Sequence, residues 1–168
     1  MGYILKMIRR VKMEDVAAIC SIYNHYVENT IHTFEEKPVP IDEMRERIRK
    51  ISTKNPYLVW EDEAGEIDGF AYINSWKERE AYRFSAELSV YIRDSLRGKG
   101  MGRFLMESLL DEVRKTRIHS LVSGIVLPND PSVALHEKLG FVKIGQFNEI
   151  GFKLNQWLDV GYWELLLK

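Results

Sequence analysis

Residues 86–127 restrict the fold of this chain more than any other stretch. "AELSVYIR", from about Ala86 to Arg93, alternates apolar and polar positions and is rich in β-branched and aromatic residues, so it predicts a strand. "SLRGKGMGRFLMESLLDEV", residues 95–113, then places Gly98, Gly100 and Gly102 ahead of Leu105, Leu109, Leu110 and Val113, whose spacing predicts a helix over 101–115. "SLVSGIVL" is almost wholly apolar and predicts a strand over 119–127 that is covered on both faces. A strand, a helix and a second strand in this order make a crossover, so the two strands should run parallel. Glycine inside a helix costs about 0.5–1 kcal/mol relative to alanine. Three glycines in five positions at a helix mouth suggest exposed backbone N–H groups, where the helix dipole favours an anion.

The rest of the chain supplies more strands than helices. "MIRRVK" reads as a first strand, and "MEDVAAICSIYNHYVEN" as an amphipathic helix through Val16, Ile19, Tyr23 and Val27. Thr30 to Pro40 reads as a proline-marked loop. A second helix, "IDEMRERIRKIS", has Asp42 as its expected N-cap and Ile41, Met44 and Ile48 on one face. "YLVWED" and "EIDGFAYINSW" read as strands joined at Glu63–Glu66. Pro128-Asn129-Asp130-Pro131 leads into a helix, "SVALHEKL", that ends at Gly140. "FVKIGQFNEIGF" and "DVGYWELLLK" read as the last two strands. Hairpins and a helical crossover in one chain predict an α+β fold with a mixed sheet. At 168 residues, with no linker or repeat, a single domain over 1–168 is expected.

Composition narrows the class of partner. The chain is 45% hydrophobic and 29% charged, which argues against disorder, and its formal net charge of −1 gives no global field for nucleic acid or a membrane surface. No run approaches the ~20 apolar residues of a membrane span. The opening "MGYILKMIRRVK" is too short in its apolar run for a signal peptide, and Lys6 stands where a myristoylation motif needs Ser or Thr. Cys20 is the single cysteine and lies among apolar helix positions, so a buried thiol in a reducing, cytoplasmic setting is expected.

The loop "GKGMGR" fails two known phosphate cradles. A dinucleotide fingerprint would need glycine where Arg103 stands, and a P-loop would need Ser or Thr where Gly100 stands. What remains is Arg97-x-x-Gly100-x-Gly102 between a strand and a helix, with Lys99 and Arg103 at its rim.

"RGKGMG" in this setting resembles the acetyl-coenzyme A pyrophosphate loop of the GNAT acetyltransferase superfamily, and "LPNDPSVALHEKLGFVKIG" resembles that superfamily's second hallmark. "NHYVENTIHTFEE", "SWKEREAYRFSAELSVYI" and "GFKLNQWLDVGYWEL" narrow the resemblance to the phosphinothricin and methionine sulfoximine N-acetyltransferase branch. Together the similar stretches span nearly the whole chain. The resemblance implies a mixed, mostly antiparallel sheet with a splayed parallel strand pair and flanking helices. It also implies acetyl-CoA as co-substrate, with no metal required.

Residue by residue, it implies that Arg97, Gly98, Lys99, Gly100, Met101 and Gly102 hold the diphosphate, and that Leu88, Ser89, Val90 and Tyr91 bind the pantetheine arm through their main chain. Val90 N–H would polarise the thioester carbonyl, and Asn129 and Ser132 would touch the cofactor. Asn129 also suits a helix cap. Glu87 is an acid between Ala86 and Leu88 in an apolar strand. It is either the base that frees the acceptor amine, as the resemblance implies, or a carboxylate facing solvent or paired with Arg83. His136 stands where many GNAT enzymes place a tyrosine; it would protonate the thiolate or hold a ligand.

The same resemblance implies an amino-acid-sized acceptor gripped by Phe34, Trp76, Lys77, Arg79, Tyr82 and Arg83, with the loop around Phe34 closing over it. Lys153, Trp157, Tyr162 and Trp163 would line the pocket or a homodimer interface. His25 and His32 lack a third ligand at metal-site spacing. Two rivals stay open at this point: an acetyltransferase for peptide or protein amines, and an acyl-coenzyme A binding module without catalysis.

Overall fold

The computed structural model describes residues 7–167. Residues 1–6, which carry part of the segment read for a leader or lipid site, lie outside that range. The strands are β1 (Ile8–Arg10), β2 (Tyr57–Glu61), β3 (Ile67–Ser75), β4 (Ser85–Ile92), β5 (Ser120–Leu127), β6 (Val142–Lys153) and β7 (Gln156–Leu166). The helices are α1 (Val16–Asn29), α2 (Ile41–Ser52), α3 (Met101–Val113) and α4 (Asp130–Lys138). The seven strands follow the sheet order β1-β2-β3-β4-β5-β7-β6. β4 and β5 pair in parallel, whereas β1 with β2, β2 with β3, β5 with β7 and β6 with β7 pair antiparallel. The mixed α+β architecture is therefore the expected one. No helix among the described residues is long and apolar enough to cross a membrane.

The chain divides into two compact units. One holds the residues up to Asn24 with Val39–Asn74 and Leu88–Arg117; the other holds His25–Pro38, Ser75–Glu87 and the residues from Ile118 onward. β4 is split between them after Glu87.

In the first unit, α3 is anchored by Leu105, Met106, Leu109, Leu110 and Val113, all buried. This is the outcome expected of apolar residues repeating every three or four positions. The end of β4 is tied to the start of β3: Arg93 N donates to Asp68 O at 2.7 Å, and its guanidinium reaches Asp68 Oδ1 at 2.8 Å and Ile67 O at 2.6 Å. A stack of rings runs from Tyr57 through Phe70 to Tyr91, with Tyr23 of α1 edge-on to Tyr91 at 5.2 Å. α2 departs from expectation at its start. Pro40 occupies the N-cap, so Asp42 lies inside the first turn and pairs with Arg45 instead. Ile41 is exposed, leaving Met44 and Ile48 as the buried face.

In the second unit, the parallel ladder covers Ser85↔Ser120, Ala86↔Leu121 and Glu87↔Val122. β5 pairs with β7 without a break from Ser120↔Leu166 to Leu127↔Asp159. β6 has the predicted length, whereas β7 begins three residues earlier than the sequence predicts, at Gln156; the two meet at a two-residue turn, Leu154-Asn155, with both residues left-handed at φ 51° and 59°. Asn129 caps α4 by accepting from Ser132 N, and Gly140 follows the helix in the left-handed conformation at φ 91°.

Replacing Leu109, which is fully buried, with alanine is expected to cost about 3 kcal/mol of stability. A urea titration checks this. A loss under about 1 kcal/mol would show that α3 is not held by its apolar face.

Candidate active site

The first unit carries a polar concavity made of main chain. Gly98 and Gly100 adopt φ 76° and 83°, a region costly for side chains but open to glycine. Gly100 is the N-cap of α3, and a Cβ added at Gly98 would meet nothing within 4 Å. Arg103 N and Phe104 N donate back to Gly100 O. The amides of Gly98, Lys99, Gly100, Met101 and Gly102 find no protein acceptor among the described residues. Five successive free donors at the start of a 13-residue helix, with the positive end of its dipole behind them, form an anion cradle. Arg97 is tethered to Asp94 at 3.3 Å and Arg103 to Glu107 at 2.8 Å, so both remain at its rim. On β4, Leu88 is buried, and Ser89, Val90 and Tyr91 are half-buried. Tyr91 places its ring in the aromatic stack.

The second unit holds Glu87. Burial pushes the pKa of its carboxyl up, and nearby Lys77 pulls against that shift without cancelling it. Among the described residues no group donates a hydrogen bond to it. Arg83 is not its partner: that guanidinium lies 4.5 Å from the Phe84 ring and donates to Glu80 O. Tyr162 is close by, and its own pKa is raised by burial and then by the charge of Glu87. Around Tyr162 stand Trp76, edge-on at 6.0 Å, and Phe147, edge-on at 5.8 Å. Lys77 Nζ lies 4.8 Å from the Trp76 ring centre. The structure thus brings Glu87, Lys77, Trp76 and Tyr162 together, an ionisable carboxyl and one cation beside an aromatic wall. Arg79 and Tyr82 are not drawn into this group; the Arg79 guanidinium sits 5.9 Å from the Tyr82 ring.

The loop from Thr30 to Pro40 is fastened rather than loose. Phe34 lies over Gly151 of β6 so closely that a Cβ at residue 151 would stand 2.2 Å from the ring. Lys153, almost fully buried, donates from Nζ to Thr33 O at 2.7 Å. Burial lowers its pKa, while Glu36 and Glu35 oppose the shift. Asn129 Nδ2 lies 3.3 Å from His32 Nδ1. The loop bearing Phe34 is therefore held at several points along its length.

His136 is buried, 3% exposed, with Nδ1 2.8 Å from Ser132 O and its ring edge-on to Phe141 at 5.2 Å. A carbonyl oxygen only accepts, so Nδ1 carries the hydrogen and Nε2 of the neutral ring carries a lone pair. Burial lowers the pKa, and the bond to Ser132 only partly offsets that shift. The neutral ring in this tautomer presents Nε2 as an acceptor, which suits a role in holding a ligand. Trp163, fully buried with Nε1 donating to Glu137 at 3.1 Å, is core rather than pocket, whereas Trp157 is exposed beside Phe152. No group of three or more His, Cys, Asp or Glu among the described residues is arranged to hold a metal ion.

Phe147, Gly124 and Gly151 escaped the sequence reading, because only strand register reveals what they face. Gly151→Ala is expected to expel the Phe34 ring. Hydrogen exchange would then quicken across residues 30–38 and stay unchanged in α3, whereas unaltered exchange in the loop would show that Phe34 does not secure it.

Comparison with known proteins agrees with this arrangement. A family model described as an acetyltransferase (GNAT) domain matches residues 8–161. Over 157 residues the chain is 38% identical to a phosphinothricin N-acetyltransferase of Streptomyces viridochromogenes, covering 94% of this chain and 85% of that one. It is 36% identical over 161 residues to an L-methionine sulfoximine/L-methionine sulfone acetyltransferase of Pseudomonas aeruginosa, covering 95% and 94%. A solved GNAT superfamily phosphinothricin acetyltransferase from Sinorhizobium meliloti, in complex with AcCoA, superposes with a TM-score of 0.93 at 34% identity, covering 95% of this chain and 87% of that one. With its glycine cradle at the mouth of α3 and its parallel strand pair, this chain belongs to the GNAT acetyltransferase family.

Proposed function

We propose that this protein, as one domain over 1–168, moves an acetyl group from acetyl-CoA to the amino group of a small amino acid or analogue of the phosphinothricin or methionine sulfoximine type. The observation that carries this reading is Glu87: a carboxyl of raised pKa, with no hydrogen-bond donor among the described residues, beside Lys77, Trp76 and Tyr162. An amine of pKa ~10.4 is almost wholly protonated near neutrality, so transfer needs a group that removes a proton. A carboxylate of raised pKa is a better base for that step than an ordinary one.

Acetyl-CoA supplies the activated acetyl group as a thioester. The chain fits such a donor, since the amides of residues 98–102, without an acceptor among the described residues, can donate to the oxygens of a diphosphate, and Arg97, Lys99 and Arg103 add charge at the rim. Leu88 to Tyr91 would offer their main chain to the pantetheine arm, with Val90 N–H aimed at the thioester oxygen. Asn129 and Ser132 would contact the same ligand from the start of α4. Glu87 takes the proton from the acceptor ammonium, directly or through water. Lys77 faces the acceptor's carboxylate, while Trp76 and Phe34 cover its side chain. Arg79, Tyr82 and Arg83 would serve at the outer edge of the subsite. His136 holds rather than protonates.

We also assign the exposed apolar run on the edge strand β6 to a second copy of the chain, making a homodimer. In support, Val142, Ile144, Phe147, Ile150 and Phe152 are each at least half exposed on an unpaired sheet edge, where long apolar strands invite a partner. The lone buried Cys20 and the demand for acetyl-CoA support a cytoplasmic setting.

A thiol-release assay across free amino acids, methionine sulfoximine, phosphinothricin and peptides tests the reading. Turnover should be confined to the small acceptors. Turnover with peptides alone would overturn the acceptor class, and none at all would favour a binding module. In Glu87→Gln, kcat should fall by roughly a hundredfold or more. Because the carboxyl works deprotonated and its pKa is raised, wild-type activity should climb with pH through an inflection above the ordinary carboxylate range. That inflection should vanish in the variant. An Ile144→Glu, Ile150→Glu double variant should sediment as a monomer where the wild type sediments as a dimer.

A further inference from the structure

Gly124 is a glycine that the strand around it does not need. It lies in the middle of β5, between Ser123 and Ile125, which are buried at 1% and 4%, yet it is itself exposed. Glycine inside a strand weakens it, and usually marks a bulge, a bend or a place where something approaches the backbone closely. No bulge is present, because the ladder with β7 runs without a register shift from Ser120 to Leu127. Gly124 is also not among the glycines with positive φ. A close approach is the explanation left.

The strand registers show what surrounds this position. Glu87 pairs with Val122 across the parallel ladder, and Gly124 pairs with Tyr162 across the antiparallel one. Paired residues share a face and residues two apart on a strand share it too, so Glu87, Gly124 and Tyr162 stand in one row. A Cβ at position 124 would lie 3.3 Å from Tyr162 Cε1 and 3.6 Å from Glu87 Oε1. Tyr162 and Glu87 thus flank the spot that a side chain would occupy. Trp76 and Phe147 close the outer sides of the tyrosine.

Resting on the acceptor reading above, we propose that Gly124 is a specificity-determining residue: the notch above its Cα, between the Glu87 carboxylate and the Tyr162 ring, receives the amine-bearing carbon of the acceptor. An α-amino acid carries its amine on a branched carbon, which needs lateral room that an unbranched amine does not. The missing side chain provides that room beside the base. Alanine would press on the tyrosine ring, and valine would fill the notch with its γ-carbons.

The test compares wild type, Gly124→Ala and Gly124→Val. Valine favours strands, so its melting temperature should equal or exceed that of wild type. Its kcat/KM for methionine sulfoximine should nevertheless fall at least fivefold, with alanine intermediate and the KM for acetyl-CoA within twofold of wild type. A fall of less than fivefold overturns the assignment, as does a matching rise in the acetyl-CoA KM or a lowered melting temperature in the valine variant. If wild type itself acetylates no small acceptor, the acceptor reading fails first. If wild type is active and the valine variant keeps pace with it, Gly124 alone is refuted.

Discussion

Desolvation of the Glu87 carboxyl is the interaction on which the proposed reaction depends. Each unit of upward pKa shift represents about 1.4 kcal/mol by which the ionised form is disfavoured relative to water. A protein that needed only a folded strand would place an apolar residue between Ala86 and Leu88, or would donate hydrogen bonds to the acid. Neither occurs. Lys77 lies close enough to oppose the shift and fails to cancel it, so the carboxyl holds a proton more tightly than an ordinary one. Tyr162 is affected as well: burial, and after it the charge of Glu87, raises the pKa of its hydroxyl.

The opposite electrostatic problem is solved further along the chain. After Ile92, β4 leads through Arg93, clamped on Asp68, to a loop in which the amides of residues 98–102 find no protein acceptor among the described residues. There the unsatisfied groups are donors and the ligand they suit is an anion. One strand thus carries an unsatisfied acid at its third residue and delivers unsatisfied donors beyond its end. Burial makes the first costly, whereas the exposed amides are open to water, and packed neighbours position both: the parallel ladder at Glu87 and the buried apolar face of α3 behind Gly100.

Legibility in the sequence followed the range of the signal. The crossover from β4 to β5 and the glycine mouth of α3 were readable because periodicity and glycine placement are local. Gly140 was readable as a helix end for the same reason. The Leu154-Asn155 turn was not, since leucine in a left-handed conformation carries no turn signal. Asp42 looked like a cap because its chemistry suits one, but Pro40 precedes the helix and its fixed φ starts the first turn earlier. That Arg79 and Arg83 lie over the Tyr82 and Phe84 rings was not readable either, because a run of alternating cations and aromatics does not say which ring each cation meets. Gly124 and Gly151 were silent. What they make room for is set by residues from distant parts of the chain, and only register brings these together.

The seating of Phe34 on Gly151 constrains how the chain can evolve. The two residues are separated by most of the sequence, yet position 151 cannot grow while the phenylalanine is in place. A larger residue at 151 becomes tolerable only after the phenylalanine has been lost, and a loop transplanted from a relative would bring its own demand on that site. Recombination between homologues that splits these two segments should therefore yield more misfits than the overall similarity of the parents suggests. The acceptor loop and the sheet edge would be inherited as a pair.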